Sequence, residues 1–401
     1  MHQDSFVFEL TQRCNHDCLH CYNAWKNPVD YPMGELSTDE TLAMLAKMLD
    51  ETGASLVTLS GGEPLLRDDV YEIVDFLVKR GVAINFITNA SLLDEAAIAR
   101  LVDGPAAPTL VIPSEGRPSA AEVEESLRAP APFAKSGAER PAQSQERSLD
   151  KLGMTERGGE APSHRISIFE VPLLSCERVI HDTMSGAAGA FDKMTNAVAE
   201  LKLRRQRVVG VFVATKLNLP TWRETAELGI ALGVDGIMFN RFNPGGRGIE
   251  NIARLQAAPA ELQAALDEAE RICEEYDFPI SCSIAMPPCL FDTARYRRLT
   301  FGFCAAGTER AYYTLDPLGN VRPCNHSPTI LGNIRTATFE AMATGRAMRD
   351  FKAARPEFCR GCKLETACLG GCKAAAEAAC GDVWAMDPFL SAFQHMAARP
   401  R

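Results

Sequence analysis

The sequence predicts an α/β fold built on a parallel sheet and followed by a small cysteine-rich domain. Short apolar strands alternate with amphipathic helices at intervals of about thirty residues, a spacing typical of parallel sheets. The chain has 401 residues, which exceeds a comfortable single core, so two domains are expected. Its fourteen cysteines fall mainly into one field near the amino terminus and one near the carboxyl terminus.

Six apolar segments carry the strand pattern. One of them, residues 208–214, is apolar throughout, as expected for a strand buried on both faces. Because the carboxyl ends of parallel strands meet at one edge of the sheet, functional residues are expected to follow the strands. The predicted strands cover residues 6–10, 55–60, 83–88, 166–171, 208–214 and 236–240.

Three helices have clear local signals. A capping box formed by Ser37 and Glu40 begins the first helix, and Gly53 ends it. The second helix repeats apolar residues at i, i+3, i+4, i+7 and i+8 and is closed by Gly81. A third helix is predicted over residues 259–276.

The alternation of strands and helices is interrupted between about residues 104 and 165. Pro, Ala, Ser, Glu and Arg dominate this stretch, which has almost no apolar periodicity. Such a composition cannot bury enough surface to offset chain entropy, so we predict a mostly disordered insertion. A lid that docks the substrate is the functional alternative.

The composition is that of an ordinary globular protein, with 46% hydrophobic and 23% charged residues. A net charge of −10 argues against a general nucleic-acid or membrane-surface role. The first residues show no signal peptide, and no apolar run reaches the roughly 18 residues needed to span a bilayer. We therefore expect a cytoplasmic protein that binds neither nucleic acid nor membranes.

Cys14, Cys18 and Cys21 form a Cys-x3-Cys-x2-Cys run directly after the first strand. A tetrahedral zinc ion held by them would need a fourth protein ligand, for which His16 and His20 are the candidates. An iron–sulfur cube on three thiolates would instead leave one iron open. A disulfide framework belongs to small secreted domains, so ligation of metal by reduced thiolates is the preferred interpretation.

The second predicted strand ends in the element Ser-Gly-Gly-Glu-Pro, residues 60–64. With the preceding cysteine run, this element makes the chain resemble the radical S-adenosylmethionine (SAM) superfamily. The resemblance implies a partial (β/α)6 TIM-like barrel and a [4Fe–4S] cluster on the three cysteines, whose open iron takes the amino and carboxylate groups of SAM. It extends to the loop near Gly248, apart from the insertion.

The resemblance also implies which residues contact SAM. Gly61 and Gly62 would allow the backbone to approach the methionine amino group, and Glu63 would accept a hydrogen bond from it. Ser175 and Asn89 would touch the ribose or the methionine carboxylate. For Ser175 the structural alternative is a helix N-cap.

Two further residues near strand ends are candidates for the site. His20 occupies the position where the superfamily often places an aromatic ring near the adenine, with plain loop packing as the alternative. Lys216 follows the fifth predicted strand and is either a charge in the site or a solvated lysine. The sequence assigns no catalytic acid or base.

The second cysteine field resembles the SPASM domain that follows the barrel in many radical SAM enzymes. All seven cysteines of that pattern are present, and a two-zinc ribbon is the alternative. The family arrangement implies two auxiliary iron–sulfur clusters. Their ligands would be Cys304, Cys324 and Cys372 for the first cluster, and Cys359, Cys362, Cys368 and Cys380 for the second.

The first auxiliary set lacks a fourth cysteine at the expected place. Cys282 and Cys289 are available but lie farther from Cys304 than the family pattern prefers. We predict that Cys289 is the fourth ligand of the first auxiliary cluster. An open iron that binds substrate is the alternative. Cys176 and Cys273 are expected in the core. His326 is expected to make a hydrogen bond beside the ligands, with a role as a ligand itself as the alternative.

These resemblances imply an enzyme with three clusters, in which the first cleaves SAM to methionine and a 5′-deoxyadenosyl radical. The radical abstracts a substrate hydrogen, and the auxiliary clusters accept or relay an electron. Relatives with this layout modify peptides and proteins, so we expect such a substrate and a reductant such as flavodoxin or ferredoxin. Because the chain begins just before the first strand, a separate leader-binding protein or a different substrate would be needed.

Two alternatives stay open. One is a radical SAM enzyme that acts on a small molecule or a tetrapyrrole. The other is a non-catalytic iron–sulfur electron-transfer protein, against which the Gly-Gly-Glu element argues. The expected domains are a first barrel part (residues 1–103), the insertion (104–165), a second barrel part (166–285) and the SPASM domain (286–401).

Overall fold

A computed structural model describes residues 2–26, 30–105, 164–302, 304–308 and 311–396 of the chain. The predicted insertion lies almost entirely outside the described residues. Within those ranges no helix is long and apolar enough to cross a membrane.

The described part of the chain forms one mixed sheet of eleven strands. All six predicted strands are present, and β7 and β8 extend the series. The strands are β1 (Ser5–Glu9), β2 (Leu56–Ser60), β3 (Ala83–Ile87), β4 (Ile168–Pro172), β5 (Val208–Ala214), β6 (Gly236–Arg241), β7 (Ile280–Cys282), β8 (Thr300–Phe301), β9 (Thr314–Leu315), β10 (Asn320–Arg322) and β11 (Gly332–Asn333).

The predicted helices are confirmed as α1, α2 and α8. The capping box of α1 forms as expected, with the Ser37 hydroxyl accepting from the Glu40 amide at 3.4 Å, and Gly53 ends the helix with φ 68°. The helices are α1 (Thr38–Thr52), α2 (Val70–Lys79), α3 (Glu95–Val102), α4 (Arg178–Ser185), α5 (Ala190–Leu203), α6 (Trp222–Ala231), α7 (Ile252–Leu255), α8 (Pro259–Tyr276), α9 (Phe339–Ala343), α10 (Arg346–Ala353), α11 (Glu365–Cys368), α12 (Lys373–Cys380) and α13 (Pro388–Ala392).

The strand order is β11-β10-β9-β1-β2-β3-β4-β5-β6-β7-β8. Strands β1 to β8 are parallel, which confirms the predicted fold class. On the other side of β1, strand β9 from the cysteine-rich region also pairs in parallel, and β10 and β11 continue antiparallel. Because β9 covers the free edge of β1, the carboxyl-terminal region is built onto the barrel sheet rather than set apart from it.

The two faces of the sheet bury different side chains, because successive residues of a strand point to opposite faces. Phe8, Phe86 and Phe212 belong to the large core between the strands and the helices. Ile168 and Val209, with Met238, form a small separate apolar cluster on the inner face. Toward the carboxyl ends of the strands, where the site lies, the side chains on the inner face are polar.

Candidate active site

The loop after β1 brings the three predicted cluster ligands together. Cys14, Cys18 and Cys21 are half-buried. Burial raises the pKa of the Cys18 thiol, and the thiols of Cys21 and Cys14 raise it further, so all three sulfurs lie within electrostatic reach. Among the described residues, no three His, Cys, Asp or Glu side chains gather closely enough to hold a single metal ion.

Lys26 is the positive charge beside these thiols. Its ammonium opposes the effect of burial and lowers the pKa of Cys14, Cys18 and Cys21. The same ammonium lies 3.8 Å from the carboxylate of Asp17. The sequence analysis did not single out Lys26, because a lysine five residues after a cysteine carries no recognisable pattern.

The loop after β2 packs directly against the cysteine loop. The amide of Gly62 donates to the carbonyl of Thr11 at 2.8 Å, and Asn23 Nδ2 donates to the Gly61 carbonyl at 3.1 Å. A Cβ atom on Gly62 would lie 2.0 Å from the Arg13 carbonyl oxygen. Glycine is therefore required here for contact between the two loops, and its approach to SAM stays a prediction.

Glu63 is fully buried and links β2 to the end of β3. Its carboxylate accepts from the Thr88 hydroxyl at 2.9 Å, from the Asn89 amide at 2.8 Å and from the Leu65 amide at 3.1 Å. Burial raises its pKa to about 7 against these hydrogen bonds. The structure thus shows a bracing role, while the predicted bond to the SAM ammonium stays a prediction.

Asn89 lies beside the cysteine loop, as its place after β3 suggested. Its Nδ2 donates to Asn15 Oδ1 at 2.8 Å and is 4.0 Å from the sulfur of Cys14. Asn15 in turn donates to the Ser91 hydroxyl at 2.8 Å. The end of β3 is therefore joined to the ligand loop, and contact of Asn89 with SAM stays a prediction.

Ser175 is fully buried behind β4. Its hydroxyl shares a hydrogen bond of 2.9 Å with Thr221 and accepts from the Glu177 amide at 3.0 Å. The N-cap alternative is wrong, because α4 begins at Arg178 and its N-cap is Glu177. The predicted contact of Ser175 with SAM stays a prediction.

Several imidazoles surround the cysteine loop in neutral form. Burial lowers the pKa of His20 and of His181 to about 4. Nδ1 of His16 and Nδ1 of His20 are buried and have no hydrogen-bond partner in the described part of the chain. Buried polar atoms of this kind need a partner, so the residues around the thiols fit a polar bound group. Lys216 is exposed, as a solvated lysine would be.

Two acidic side chains lie on the inner face of the sheet. Glu9 on β1 forms a buried ion pair with Arg322 on β10. Glu170 on β4 is 7% exposed, and burial alone raises its pKa to about 7. Glu170 was not predicted from the sequence, although one acid within an otherwise apolar strand is a recognisable signal.

Cys304, Cys324 and Cys372, the predicted ligands of the first auxiliary cluster, come together beside the loop after β6. Burial raises the pKa of the Cys324 thiol to about 12, and the thiols of Cys372 and Cys304 contribute. Asn243 Nδ2 lies 3.3 Å from the sulfur of Cys372 and 3.2 Å from Nδ1 of His326. His326 therefore makes the hydrogen bond beside the ligands that the sequence analysis expected.

Cys359, a cysteine of the predicted second auxiliary set, lies among other thiols. The thiols that chiefly raise the pKa of Cys359 after burial are those of Cys368, Cys289 and Cys362. Cys289 therefore lies within electrostatic reach of Cys359, and its predicted place as fourth ligand of the first cluster stays a prediction. Cys380 is exposed at the end of α12.

One aromatic contact joins the barrel loop to the carboxyl-terminal region. The ring of Tyr22, which follows Cys21, stacks on His326 with ring centroids 3.9 Å apart. Asn325 Nδ2 also donates to the Tyr22 hydroxyl at 3.1 Å. The ligand loop of the barrel and the first auxiliary set are thus in contact through adjacent side chains.

Comparison with known proteins agrees with this arrangement. The sequence model of the Radical SAM superfamily matches residues 8–115, and that of the SPASM iron-sulfur cluster-binding domain matches residues 304–363. An AdoMet-dependent heme synthase of Methanosarcina barkeri is 26% identical and covers 96% of this chain and 95% of its own. A PqqA peptide cyclase of Rhodopseudomonas palustris is 24% identical and covers 95% of this chain and 85% of its own.

Solved structures share the fold. Native anSMEcpe with bound AdoMet superposes with a TM-score of 0.62 at 14% identity, covering 98% of this chain and 95% of that one. Streptococcus suis SuiB bound to S-adenosylmethionine gives 0.62 at 13% identity, covering 97% and 77%. The chain thus contains a Radical SAM domain and, nearer its carboxyl end, a SPASM iron-sulfur cluster-binding domain, and it is an enzyme.

Proposed function

We propose that this enzyme cleaves SAM reductively and uses the 5′-deoxyadenosyl radical to abstract hydrogen from a peptide or protein. The observation that carries the proposal is the meeting of three loops at one edge of the sheet. The cysteine loop after β1, the Gly61–Gly62 loop after β2 and Asn89 after β3 are directly hydrogen-bonded or in contact. This is the edge at which parallel sheets of this class bind their ligands.

Each of these residues has a distinct task in the proposal. A [4Fe–4S] cluster on Cys14, Cys18 and Cys21 would supply the electron for cleavage of the S–C bond of SAM. Lys26 offsets part of the negative charge of the thiolates. Gly62 keeps the loop after β2 against the cysteine loop, because any larger residue would collide with the Arg13 carbonyl. Methionine and a reactive carbon radical are the expected products.

The SPASM region would hold two auxiliary iron–sulfur clusters that accept or relay an electron after hydrogen abstraction. Their proximity to the barrel loop supports this role, since Tyr22 stacks on His326 and His326 lies two residues after Cys324. Asn243 Nδ2 donates toward the sulfur of Cys372, and a hydrogen bond to a ligand sulfur is one way a protein tunes the reduction potential of a cluster.

A peptide or protein is the preferred substrate because a PqqA peptide cyclase aligns with 95% of this chain at 24% identity. A tetrapyrrole is the second candidate, because the AdoMet-dependent heme synthase matches this chain over a similar length at 26% identity.

A reductant such as flavodoxin or ferredoxin would supply the electron, and a separate leader-binding protein would present a peptide. A cytoplasmic location suits fourteen free thiols.

The first experiment tests SAM cleavage. The protein is reconstituted anaerobically with iron and sulfide, given dithionite and SAM, and assayed for 5′-deoxyadenosine by chromatography. The control is the Cys14→Ala/Cys18→Ala/Cys21→Ala variant, which should keep the auxiliary clusters. Product from the unaltered protein alone supports the proposal. An iron-loaded protein that yields no product would instead favour an electron-transfer role, and a protein that takes up only zinc would contradict both.

A second experiment separates the substrate classes. The enzyme is co-expressed with each short peptide encoded beside its gene, and the peptides are examined by mass spectrometry for a change in mass. In parallel, the reconstituted enzyme is incubated with a porphyrin-type tetrapyrrole. A modified peptide supports the proposal, whereas a modified tetrapyrrole with unchanged peptides overturns the peptide assignment.

A further inference from the structure

We propose that the carboxylate of Glu170 binds a cationic side chain, lysine or arginine, of the peptide substrate. The proposal rests on the peptide or protein substrate of the proposed function and names the chemical group that the barrel interior would hold. Three observations carry it: Glu170 points inward from β4, its carboxylate has no partner in the described part of the chain, and an apolar wall stands beside it.

Strand β4 directs Glu170 into the interior of the barrel. Phe169 and Val171 belong to the large core between the strands and the helices. Glu170 lies between them in sequence, so its side chain points to the opposite face, where Ile168 belongs to the small inner cluster. Because β4 pairs with β3 on one side and with β5 on the other, this face is the interior of the barrel and not a sheet edge.

Glu170 also lies close to the predicted SAM site. Its backbone carbonyl accepts from the Thr88 amide at 3.2 Å. The Thr88 hydroxyl donates to Glu63 at 2.9 Å, and Nδ2 of the next residue, Asn89, is 4.0 Å from the sulfur of Cys14. A substrate group bound at Glu170 would therefore lie at the end of the barrel where the proposed radical forms.

The Glu170 carboxylate is buried without a partner. The side chain is 7% exposed, and it has neither a hydrogen bond nor an ion pair with any other described residue. Other buried acids differ in this respect, since Glu9 pairs with Arg322 and Glu63 accepts three hydrogen bonds. A buried carboxylate without a partner is costly, so a bound group that supplies donors is favoured at this position.

Asn85 places a second polar side chain on the same face. Its neighbours Ile84 and Phe86 belong to the large core, so Asn85 points inward. It is 3% exposed, and its side chain makes no hydrogen bond to another described residue. Strand pairing sets Asn85 opposite Ile168, two residues before Glu170. The two polar side chains are thus diagonal neighbours, about 7–8 Å apart, and a group with several N–H donors can lie between them.

An apolar wall continues from Glu170 toward the carboxyl ends of the strands. Val211 on β5 lies opposite Pro172 of β4 and packs against the small inner cluster. Lysine and arginine lay their methylene groups along such apolar surfaces while the charged end meets a polar partner. Hydrogen bonds from an ammonium or a guanidinium to a carboxylate are among the strongest that proteins make. The acid, the amide and the wall together fit a cationic side chain.

Binding of n-butylamine, which reproduces the lysine side chain, tests the site before any peptide is known. The reconstituted protein with SAM is titrated with the amine at about pH 8, where the amine is protonated, and binding is followed by nuclear magnetic resonance. n-Butanol is the uncharged control ligand. We expect Glu170→Gln to weaken binding of the amine at least about tenfold and to leave binding of the alcohol unchanged.

Two further variants control for changes other than the loss of charge. Glu170→Asp keeps the carboxylate and should retain most of the affinity for the amine. Glu177→Gln removes an exposed acid and should bind the amine as the wild type does. Equal binding of the amine by the wild type and Glu170→Gln would overturn the proposal, as would a wild type that binds no amine below about 100 mM.

SAM itself carries an ammonium and a sulfonium, so SAM is the other possible source of the cation. Equilibrium dialysis of the iron-loaded proteins measures its affinity. We expect Glu170→Gln to bind SAM as tightly as the wild type. A loss of SAM affinity of about tenfold would assign the carboxylate to SAM and overturn the proposal.

The peptide that changes mass in the co-expression experiment gives an independent measurement. Each of its lysines and arginines is replaced in turn by glutamine, and KM is measured with the wild type and with Glu170→Gln. One replacement should raise the KM of the wild type at least about tenfold and that of the variant far less, because both changes remove the same ion pair. Additive effects at every position, or a peptide without lysine and arginine, would overturn the proposal.

These outcomes separate the proposal from the proposed function, because binding of the amine does not require cleavage of SAM. A protein that binds the amine through Glu170 but forms no 5′-deoxyadenosine would contradict only the radical chemistry. A protein that forms 5′-deoxyadenosine and modifies a peptide, but binds the amine equally well as Glu170→Gln, would contradict only the cation site.

Discussion

The ring of Tyr22 lies flat on the ring of His326, with centroids 3.9 Å apart and planes inclined by 16°. Tyr22 directly follows a predicted ligand of the SAM cluster, and His326 lies two residues after a predicted ligand of the first auxiliary cluster. One stacking contact therefore sets the distance between two ligand loops that are some three hundred residues apart in sequence.

Loss of this stack should loosen the junction between the two loops. We expect Tyr22→Leu to lower the free energy of unfolding by about 1 kcal/mol, the usual worth of an aromatic pair beyond its buried area. Tyr22→Phe keeps the ring and loses only the hydrogen bond from Asn325, so it is the matched control. Urea unfolding of the reconstituted proteins measures the change. Equal midpoints for the Leu and Phe variants would show that the stack contributes nothing.

Gly62→Ala should prevent the two loops at the site from closing. The new Cβ would lie 2.0 Å from the Arg13 carbonyl oxygen, which belongs to the backbone and has little freedom to move. We expect SAM binding, measured by equilibrium dialysis of the iron-loaded protein, to fall at least about tenfold, which is roughly 1.4 kcal/mol. Gly81→Ala is the control for backbone strain without a collision: its φ of 69° disfavours alanine, but nothing lies within 4 Å of the Cβ, so SAM binding should be unchanged there. Unchanged SAM binding in Gly62→Ala would contradict the contact.

Glu170 should make stability fall as pH rises. Its folded-state pKa is about 7 and its ordinary value is 4.5, so the folded protein binds a proton more tightly than the unfolded chain between those values. The protonated Glu170 side chain contributes its full stabilisation below pH 4.5, and this contribution is lost as the pH rises through 7. Between pH 5.5 and 8 it should lower the free energy of unfolding by about 2 kcal/mol. Because glutamine does not titrate, Glu170→Gln should remove this part of the fall in the free energy of unfolding.

The measurement is urea unfolding of the wild type and of Glu170→Gln at both pH values. Exposed Glu177→Gln serves as the control and should follow the wild type. If the wild type and Glu170→Gln keep a constant difference across this range, Glu170 is not the group that titrates.

The buried ion pair of Arg241 and Asp387 should be costly to break. Both side chains are inaccessible to solvent and lie 2.5 Å apart. Asp387→Ala leaves a buried guanidinium without its partner, so we expect a loss of about 3–5 kcal/mol. Arg241→Met/Asp387→Leu should recover part of it, because the Cys372 and Phe389 amides still lose their acceptor. Exposed Asp192→Ala, which breaks a pair with Arg178, should cost at most about 1 kcal/mol.

Thermal unfolding followed by circular dichroism would rank these variants. The double variant also removes the acceptor for the Cys372 amide, so its auxiliary-cluster spectrum should differ from the wild type even where stability recovers. A single variant as stable as the double one would contradict the role of the pair.

Local patterns were sufficient for the barrel. The strands and the capped helix α1 were predicted correctly because alternation, capping and apolar periodicity act within a few residues. The bracing role of Glu63 was not predicted, because its partners Thr88 and Asn89 lie about 25 residues away on the next strand. Nor did any local signal show that Lys26 would oppose the buried thiols.

The sequence by itself determined the fold class, the radical SAM motif and the SPASM cysteines, because spacing along the chain is enough to define a ligand loop. Only the tertiary structure decided that β9 extends the sheet at β1 and that Tyr22 meets His326. These relationships depend on packing between distant segments. The stacking of Phe291 on Phe389 and the bonds of Asp387 have no counterpart in any short stretch of sequence.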